Sequence, residues 1–378
     1  MIRRTYLYEN NVWNEDLDTS LDSKNTLIIC FGSSDYSLIK NAIKDIYTDF
    51  KNSIIIGCST AGEIYQDELY EESLSVAIIK FEKSNIKLET CHLTDVNESH
   101  KVGLDVASKL FKDDLKGIFV LSDGLNVNGS QLTKGINTGL GKSDAVVTGG
   151  LAGDGAKFEK TWLLVDGKFT ANYITAVGFY GNELKFAHGS QGGWSKFGIN
   201  RMVTFSKDNV LFELDNKPAL EVYKDYLGDN AKDLPSSGLL YPLMIKENDD
   251  PEAKVRTILA IDEKEQSITF AGDIPTNSEV MFMRASFEQL VNGANDAVSS
   301  ESLNEHKNED AINIAISCVG RKLVLGQRTE DEIEAVLNNL NDNVLQVGYY
   351  SYGEISPLTS GACDLHNQTM TVTLIWEV

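Results

Sequence analysis

The sequence predicts an α/β protein of α+β character, arranged as two mixed-sheet domains over residues 1–195 and 196–378, each with helices packed on a β-sheet. Three observations support this. First, 378 residues with 42% hydrophobic content are more than one hydrophobic core ordinarily serves. Second, apolar runs of strand length alternate with stretches of helical period. Third, one stretch occurs twice. Ile54-Ile55-Ile56 runs into Gly57-Cys58-Ser59-Thr60-Ala61-Gly62-Glu63-Ile64, and Val344-Leu345-Gln346-Val347 runs into Gly348-Tyr349-Tyr350-Ser351-Tyr352-Gly353-Glu354-Ile355. Each reads as a strand ending in G-x-x-x-x-G-E-I, a turn whose glycines let backbone N–H groups approach a ligand. The elements preceding the two copies differ, so whole-module duplication does not follow from them.

Along the chain, Leu27 to Phe31 is a buried strand, and Ile39, Ile43, Ile46 and Phe50 repeat at helical spacing before the Ile54 to Ile56 strand. This is a βαβ unit with parallel strands. Leu74 to Phe81 and Lys87 to Leu93 read as an antiparallel pair. A helix follows from Ser99 to Phe111 with Val102, Val106 and Leu110 on one face. Gly117 to Ser122 is a strand leading through Asp123 into a helix near Ser130. Ala145 to Thr148 ends in the glycine-rich Gly149-Gly150-Leu151-Ala152-Gly153-Asp154. Asp166-Gly167 joins a type I′ hairpin. Tyr173 to Tyr180 and Lys185 to His188 continue the antiparallel strands, and Gly189 to Ser195 marks the domain boundary.

In the second half, Asp208-Asn209 joins a hairpin. Asp215 or Asn216 caps a helix that has Pro218 in its first turn and Gly228 at its end. Val255 to Ile261 and Ser267 to Ala271 form a further hairpin. Ser286 to Gln289 is a capping box, Ser299 to Asp310 a polar connection, and Ala311 to Val319 a strand ending in Gly320-Arg321. Thr329 to Glu332 is a second capping box. Thr369 to Trp376 is the last strand.

The formal charge of −22 argues against nucleic acid or an acidic membrane surface as partner. No apolar run is long enough to span a membrane, and the first residues lack the apolar core of a signal peptide. The five cysteines, Cys30, Cys58, Cys91, Cys318 and Cys363, have no C-x-x-C spacing, which fits reduced thiols in a cytoplasm and gives a metal site no support. Glycine-rich strand ends without G-K-[ST] or G-x-G-x-x-G suit a small ligand better than a nucleotide. Ser59 fails the nucleophile elbow because Ala61 stands where the second glycine belongs, and the expectation is a protein that is not an enzyme.

The chain resembles the FIST family of sensory proteins, with its N-terminal module followed by its C-terminal one. The resemblance rests on Gly57 to Glu63, Gly149 to Asp154, Val203-Thr204 through Pro218-Ala219-Leu220, Ser317 to Arg321, Gly348 to Ile355 and His366 to Thr369. It implies a small-ligand sensor in prokaryotic signal transduction, with amino acids among the candidates, no resident cofactor, and a separate output protein such as a histidine kinase, diguanylate cyclase or chemoreceptor. Some members of the family bind haem and sense nitric oxide. That alternative would use His188 or His366 as iron ligand, although Gln191-Gly192 lengthens the turn after His188 relative to the family pattern.

The candidate ligand-binding residues are Cys58, Ser59, Thr60, Gly62, Glu63, Asp123, Gly150, Arg321, Tyr350, Glu354 and Asn367. Glu63 and Glu354 are matched carboxylates that either meet a ligand ammonium or accept hydrogen bonds from their own turns. Arg321 is either a bidentate clamp on a ligand carboxylate or a structural salt bridge to Glu354 or Asp364. Cys58 is read as a buried thiol at a strand end, Asp123 as a ligand group and Asp154 as a turn residue.

Overall fold

A computed structural model of the chain describes residues 1–246, 253–299, 303 and 309–378. The predicted polar connection between Ser299 and Asp310 lies mostly outside the described residues. The chain opens with β1 (Ile2–Glu9) and β2 (Val12–Trp13), and then repeats one pattern three times. Unit one is β3 (Thr26–Gly32), α1 (Lys40–Asp49), β4 (Ile54–Ser59), the hairpin β5 (Glu63–Tyr65) and β6 (Glu68–Tyr70), then β7 (Leu74–Lys80) and β8 (Asn85–His92). After α2 (Ser99–Leu110), unit two is β9 (Leu115–Ser122), α3 (Gly129–Leu140), β10 (Val146–Leu151), the hairpin β11 (Leu163–Val165) and β12 (Lys168–Thr170), then β13 (Tyr173–Tyr180) and β14 (Leu184–Gln191).

An inserted segment follows: β15 (Ser195–Lys207), β16 (Val210–Leu214), β17 (Lys217–Pro218), α4 (Ala219–Leu227), β18 (Leu243–Lys246), β19 (Lys254–Arg256), β20 (Ile258–Asp262), β21 (Ser267–Phe270) and β22 (Glu279–Arg284). After α5 (Phe287–Val298), unit three is β23 (Ile312–Cys318), α6 (Val319–Leu325), α7 (Thr329–Leu337), β24 (Leu345–Ser351), the hairpin β25 (Gly353–Pro357) and β26 (Cys363–His366), then β27 (Met370–Glu377).

The three units exchange strands in a ring. The sheets run β12-β11-β4-β3-β7-β1-β2, β26-β25-β10-β9-β13-β8 and β6-β5-β24-β23-β27-β14. Each has a parallel pair at its centre (β3–β4, β9–β10, β23–β24) flanked by its own antiparallel strand. Each takes a hairpin from one of the other units. The outermost strand of the second sheet comes from unit one and that of the third sheet from unit two. β1 fills this place in the first sheet, pairing with β7 from Ile2↔Lys80 to Tyr8↔Leu74. The Met1 ammonium lies 3.2 Å from Glu377 at the end of β27, so β1 stands where a continuation of unit three would stand.

One face of all three sheets meets in a common core that includes Phe31, Ile56, Phe119, Val177, Ile314, Val347 and Tyr349. The other faces are covered by α1, with Ile43 and Ile46 inward, by α2 and α3, and by α5 and α7. Strands buried on both faces read as continuous apolar runs, which is why they are legible in the sequence.

The predicted α/β class and the βαβ unit are present. Several expectations change. The antiparallel pairing of Leu74–Phe81 with Lys87–Leu93 does not form, because β7 pairs with β3 and β1 while β8 leaves for β13 in another sheet. Likewise β14 pairs with β27 and not with β13. The 195/196 boundary falls at the start of β15, but residues from α5 onward return to the three-unit body. The second body is therefore the insert, an eight-stranded sheet of antiparallel pairings around its own core of Val203, Leu220, Tyr223, Phe270 and Phe282. Asp215 and Asn216 do not cap α4. They adopt φ of 52° and 61° in the turn between β16 and β17, and Pro218 occupies the cap position. The capping box at Ser286 forms with both hydrogen bonds. The one at Thr329 does not: Arg328 is the cap residue, Thr329 donates to Gly326 O at 2.6 Å, and Glu332 turns into the core.

Candidate functional site

The glycine-rich turns come together at the centre of the ring. Ala61 N donates to Tyr350 O at 2.8 Å, Gly153 N to Ser59 O at 2.9 Å, and Tyr352 N to Leu151 O at 3.4 Å. The third turn, after β10, is therefore the partner of the two that share a sequence signature. These N–H groups hold the units together and do not face a ligand. Gly62 sits at φ 137°, a conformation that L side chains rarely adopt. A Cβ on Gly150 would lie 2.7 Å from Tyr349 Oη, so glycine is required there by close approach.

Glu63 and Glu354 occupy equivalent places and are equally buried. Thr60 Oγ1 donates to Glu63, whose other oxygen accepts from Ser73 N at 3.1 Å and Ser73 Oγ at 2.8 Å. Ser351 Oγ donates to Glu354 at 2.5 Å, and its other oxygen accepts from Thr369 N at 3.2 Å and Thr369 Oγ1 at 2.9 Å. Burial is the dominant influence on both. It pushes Glu63 up to about 7 and Glu354 up to about 8, although the hydroxyl donors pull the other way. Each carboxyl locks its turn to the strand beginning at residue 74 or 370. Neither lines the cavity between the two bodies.

The remaining predicted residues fall into two groups. The first serves the fold. Cys58 is buried, and burial pushes its thiol well above the ordinary range. Ser59 Oγ accepts from Trp162 N at 3.0 Å. Asp123 accepts from Leu125 N and Asn126 N, both at 2.8 Å, and from Asn172 N at 2.9 Å, so backbone donors take up its carboxylate. Arg321 lies within α6, not in a loop after β23. It is fully buried against Glu332, with Nη2 to Oε2 at 2.6 Å and Nε to Oε2 at 2.9 Å. The structural salt bridge is thus formed, but to Glu332 and not to Glu354 or Asp364. Tyr350 Oη and Ser317 Oγ donate to the other Glu332 oxygen at 2.7 and 2.8 Å.

The second group lines a cavity. A space of about 980 Å³ opens between the three-unit body and the insert. His188, Trp194, His366, Asn367 and Thr369 form one side, and Lys254, Arg256 and Met283 the other. Asn367 is only 1% exposed, yet neither its Nδ2 nor its Oδ1 has a hydrogen-bond partner among the described residues. Ser356 and Thr373 also carry buried hydroxyls without partners among the described residues. Ser356 O lies 3.0 Å from His366 Nε2, and Thr373 stands opposite His188. Desolvation, followed by the nearby His366, lowers the pKa of His188 and favours the neutral ring. Lys254 Nζ pairs with Asp364 at 2.9 Å, and Arg256 Nη1 donates to Leu365 O at 3.0 Å, clasping the insert to β26.

The family profile of the FIST N domain matches residues 26–217, half of the chain, and that of the FIST C domain follows over residues 219–357. The chain belongs to the FIST family. FIST domains are associated with sensing in signal transduction. A similar protein is an uncharacterized one from Methanocaldococcus jannaschii, 24% identical over 389 residues, covering 90% of this chain and 72% of the relative. Among solved structures, cyanuric acid hydrolase from A. caulinodans aligns over 100% of this chain and 99% of its own at 8% identity. Its TM-score is 0.40, a likeness too low to carry an argument.

The two FIST matches meet just before α4, inside the insert. Both therefore contribute to the cavity: His188 and Trp194 lie in the N match, Lys254, Arg256 and Met283 in the C match. His366, Asn367 and Thr369 lie beyond the C match. Sequence reasoning missed Trp194, Lys254, Arg256, Glu332, Ser73 and Thr369 as site or support residues. Only Ser73 and Thr369 carried a signal, each being the hydroxyl residue just ahead of a strand that follows a turn motif. Among the described residues no group of three His, Cys, Asp or Glu is placed to hold a metal ion, and no helix is long and apolar enough to cross a membrane.

Proposed function

We propose that this FIST protein is a cytoplasmic sensor that binds an amino acid or related small molecule in the cavity between its two bodies. It then acts on a separate output protein, such as a histidine kinase, diguanylate cyclase or chemoreceptor. The observation that carries this is the cavity of about 980 Å³ between the two bodies, whose wall sets the rings of His188, Trp194 and His366 beside the polar Lys254, Arg256 and Thr369. A concave site at the junction of two bodies also suits a sensor, since a ligand touching both biases how they sit. Binding without catalysis is supported by the engagement of Ser59 with Trp162 N and by the burial of Cys58.

The test is a thermal-shift panel of amino acids and small carboxylic acids on wild type and Trp194→Ala. A ligand at 100 times its Kd stabilises by about 2.7 kcal/mol. The expected result is a shift with a member of the panel that is lost in the variant. A wild type unmoved by every compound, or a shift that survives Trp194→Ala, refutes the proposal.

A second reading is favoured by His188 and His366 lining the same cavity. His188 held neutral has the protonation state an iron ligand needs, while the Nε2 of His366 is already beside Ser356 O. Apolar Trp194, Met283 and Leu365 would contact a porphyrin. A bound haem would supply an iron centre for nitric oxide. Titration with haem tests this: an unchanged Soret band, or one indifferent to His188→Ala and His366→Ala, excludes it.

A further inference from the structure

The ring has three seams, one where the outermost strand of each sheet meets the neighbouring sheet. β14 lies against β25, and β1 lies against β24 and β5. β8 borders a cavity with β4 and β11. Strand register makes the seams comparable. Leu163 pairs with Cys58, Glu354 with Gly150 and Glu63 with Tyr349, so three residues further on Asp166, Pro357 and Gln66 stand at one place. Leu88 pairs with Val177, His188 with Thr373 and Thr5 with Ala77, so Leu88, His188 and Thr5 share a second. Ile55 and Gln346, each two residues before the first glycine of its turn motif, share a third.

At the seam of β1 the chain spans these places with its own carboxamide. Gln66 Nε2 donates to Thr5 Oγ1 at 2.8 Å, and Gln346 Nε2 donates to Gln66 O at 2.7 Å. At the seam of β8 the same places hold Asp166, Leu88 and Ile55. A carboxylate loses hydration and gains nothing by lying over two hydrocarbon side chains, and Asp166 stays exposed. A space of about 340 Å³ is left, walled by Ile55, Leu88, Leu164 and Val165 and by the rings of Tyr47 and Phe50. We propose that this space is a second small-molecule site, separate from the cavity between the bodies, and that it takes an uncharged aromatic molecule of fused-bicyclic size.

Size, wall and charge each support that class. An apolar cavity of about 150 Å³ takes benzene, so this larger one has room for a second ring. Aliphatic walls and two aromatic rings favour a flat apolar body. The charged side chains that border the space, among the described residues, are Lys51 and Asp166, both exposed and of opposite sign. They favour neither an anion nor a cation. Burial pushes the Tyr47 hydroxyl up to about 12, so the phenol stays neutral as well. Thr90, on the same face of β8 as Leu88, brings a hydroxyl that can accept a ring N–H. The seam of β14 differs again: His188 and Pro357 border the cavity between the bodies, where the insert supplies the opposite wall.

The test is titration of the full chain with indole, followed by ligand-detected NMR. The expected result is saturable binding that is lost in Leu88→Trp, which fills the space, and retained in Trp194→Ala, which alters the other cavity. Thr90→Phe is the filling variant to use where Leu88→Trp does not fold. Indole-2-carboxylate and benzamidinium, flat probes that carry a charge on the ring, bind at least about tenfold more weakly. No saturable binding of indole, or binding that survives the filling variant, overturns the inference. Binding lost in Trp194→Ala but kept in Leu88→Trp places indole between the bodies and overturns this site while leaving the other standing. A charged probe that binds as tightly as indole overturns the assignment to an uncharged ligand.

Discussion

Replacing Arg321 with methionine isolates the buried pair behind the cavity. The guanidinium is fully buried and makes two bonds to Glu332, at 2.6 and 2.9 Å, with further donations to Leu290 O at 2.8 Å, Gly192 O and Gln368 O. Methionine keeps most of the volume and removes the charge and the donors. Glu332 retains Ser317 Oγ and Tyr350 Oη but loses its countercharge. Breaking a buried pair on one side costs about 3–5 kcal/mol, a large share of the roughly 5–15 kcal/mol that stabilises a typical domain. The double variant Arg321→Met/Glu332→Leu removes both charges. It should recover most of that loss, with Gly192 O and Leu290 O losing a donor and the Ser317 and Tyr350 hydroxyls losing their acceptor. Urea unfolding followed by circular dichroism measures both. A single variant that loses less than about 1 kcal/mol, or a double variant no more stable than the single, would refute the reasoning. The clamp reading of Arg321 makes the opposite forecast, an unchanged unliganded stability.

The two buried glutamates make stability depend on pH. Their folded pKa values, about 7 and about 8, lie above the ordinary 4.5, so the folded chain holds protons that the unfolded chain has released. Their contribution is full below pH 4.5 and is lost as pH rises through 7 for Glu63 and 8 for Glu354, by roughly 3 kcal/mol or more each. Glu63→Gln/Glu354→Gln should flatten the thermal midpoint between about pH 5 and 8; a profile as steep as wild type contradicts the assignment. Asp273 accepts from Asn128, the cap residue of α3, at 2.9 Å and from Gln131 in its first turn at 2.6 Å, and pairs with Lys134 at 2.8 Å. Asp273→Ala should cost about 1–3 kcal/mol and raise hydrogen exchange in the first turn of α3, where unchanged exchange would count against a latch between the bodies. Gly150→Ala drives a methyl against Tyr349 Oη and should destabilise by about 1–3 kcal/mol in denaturant unfolding.

Much of the fold is legible in the sequence because its signals are local. The run Leu27 to Phe31 is apolar throughout, since β3 is buried on both faces, and the inward positions of α1, α2, α3 and α5 repeat at helical spacing. The β-α-β order of unit one follows from these signals alone. The pairing of β7 and β8 does not, because strand pairing is decided by what lies beside each strand once the chain has closed into a ring. The insert reads as half a domain because residues 195–284 carry ordinary hairpin signals, and nothing local says that Phe287 to Glu377 returns to the first body. At the site, Asn367 and the two histidines stand out as candidates, but their shared cavity is not visible in the chain. Lys254 and Arg256 reach it from a strand more than sixty residues from His188 and more than a hundred from His366.

The turn motif separates the two kinds of information. That Glu63 and Glu354 follow matched turns is written in the residues, since the hydroxyl three residues earlier and the glycine before each acid are chemical requirements of the turn. The parallel strands that lead into them are written there too, through the unbroken apolar runs. That a third turn, ending in Gly153-Asp154 with no matching signature, completes the ring emerges only when the whole chain has folded. The contacts that join the three are backbone hydrogen bonds, between Ala61 and Tyr350, Gly153 and Ser59, and Tyr352 and Leu151, and backbone groups are the same whatever side chain they carry. The turns thus bind one another, and the cavity opens elsewhere, between the three-unit body and the insert.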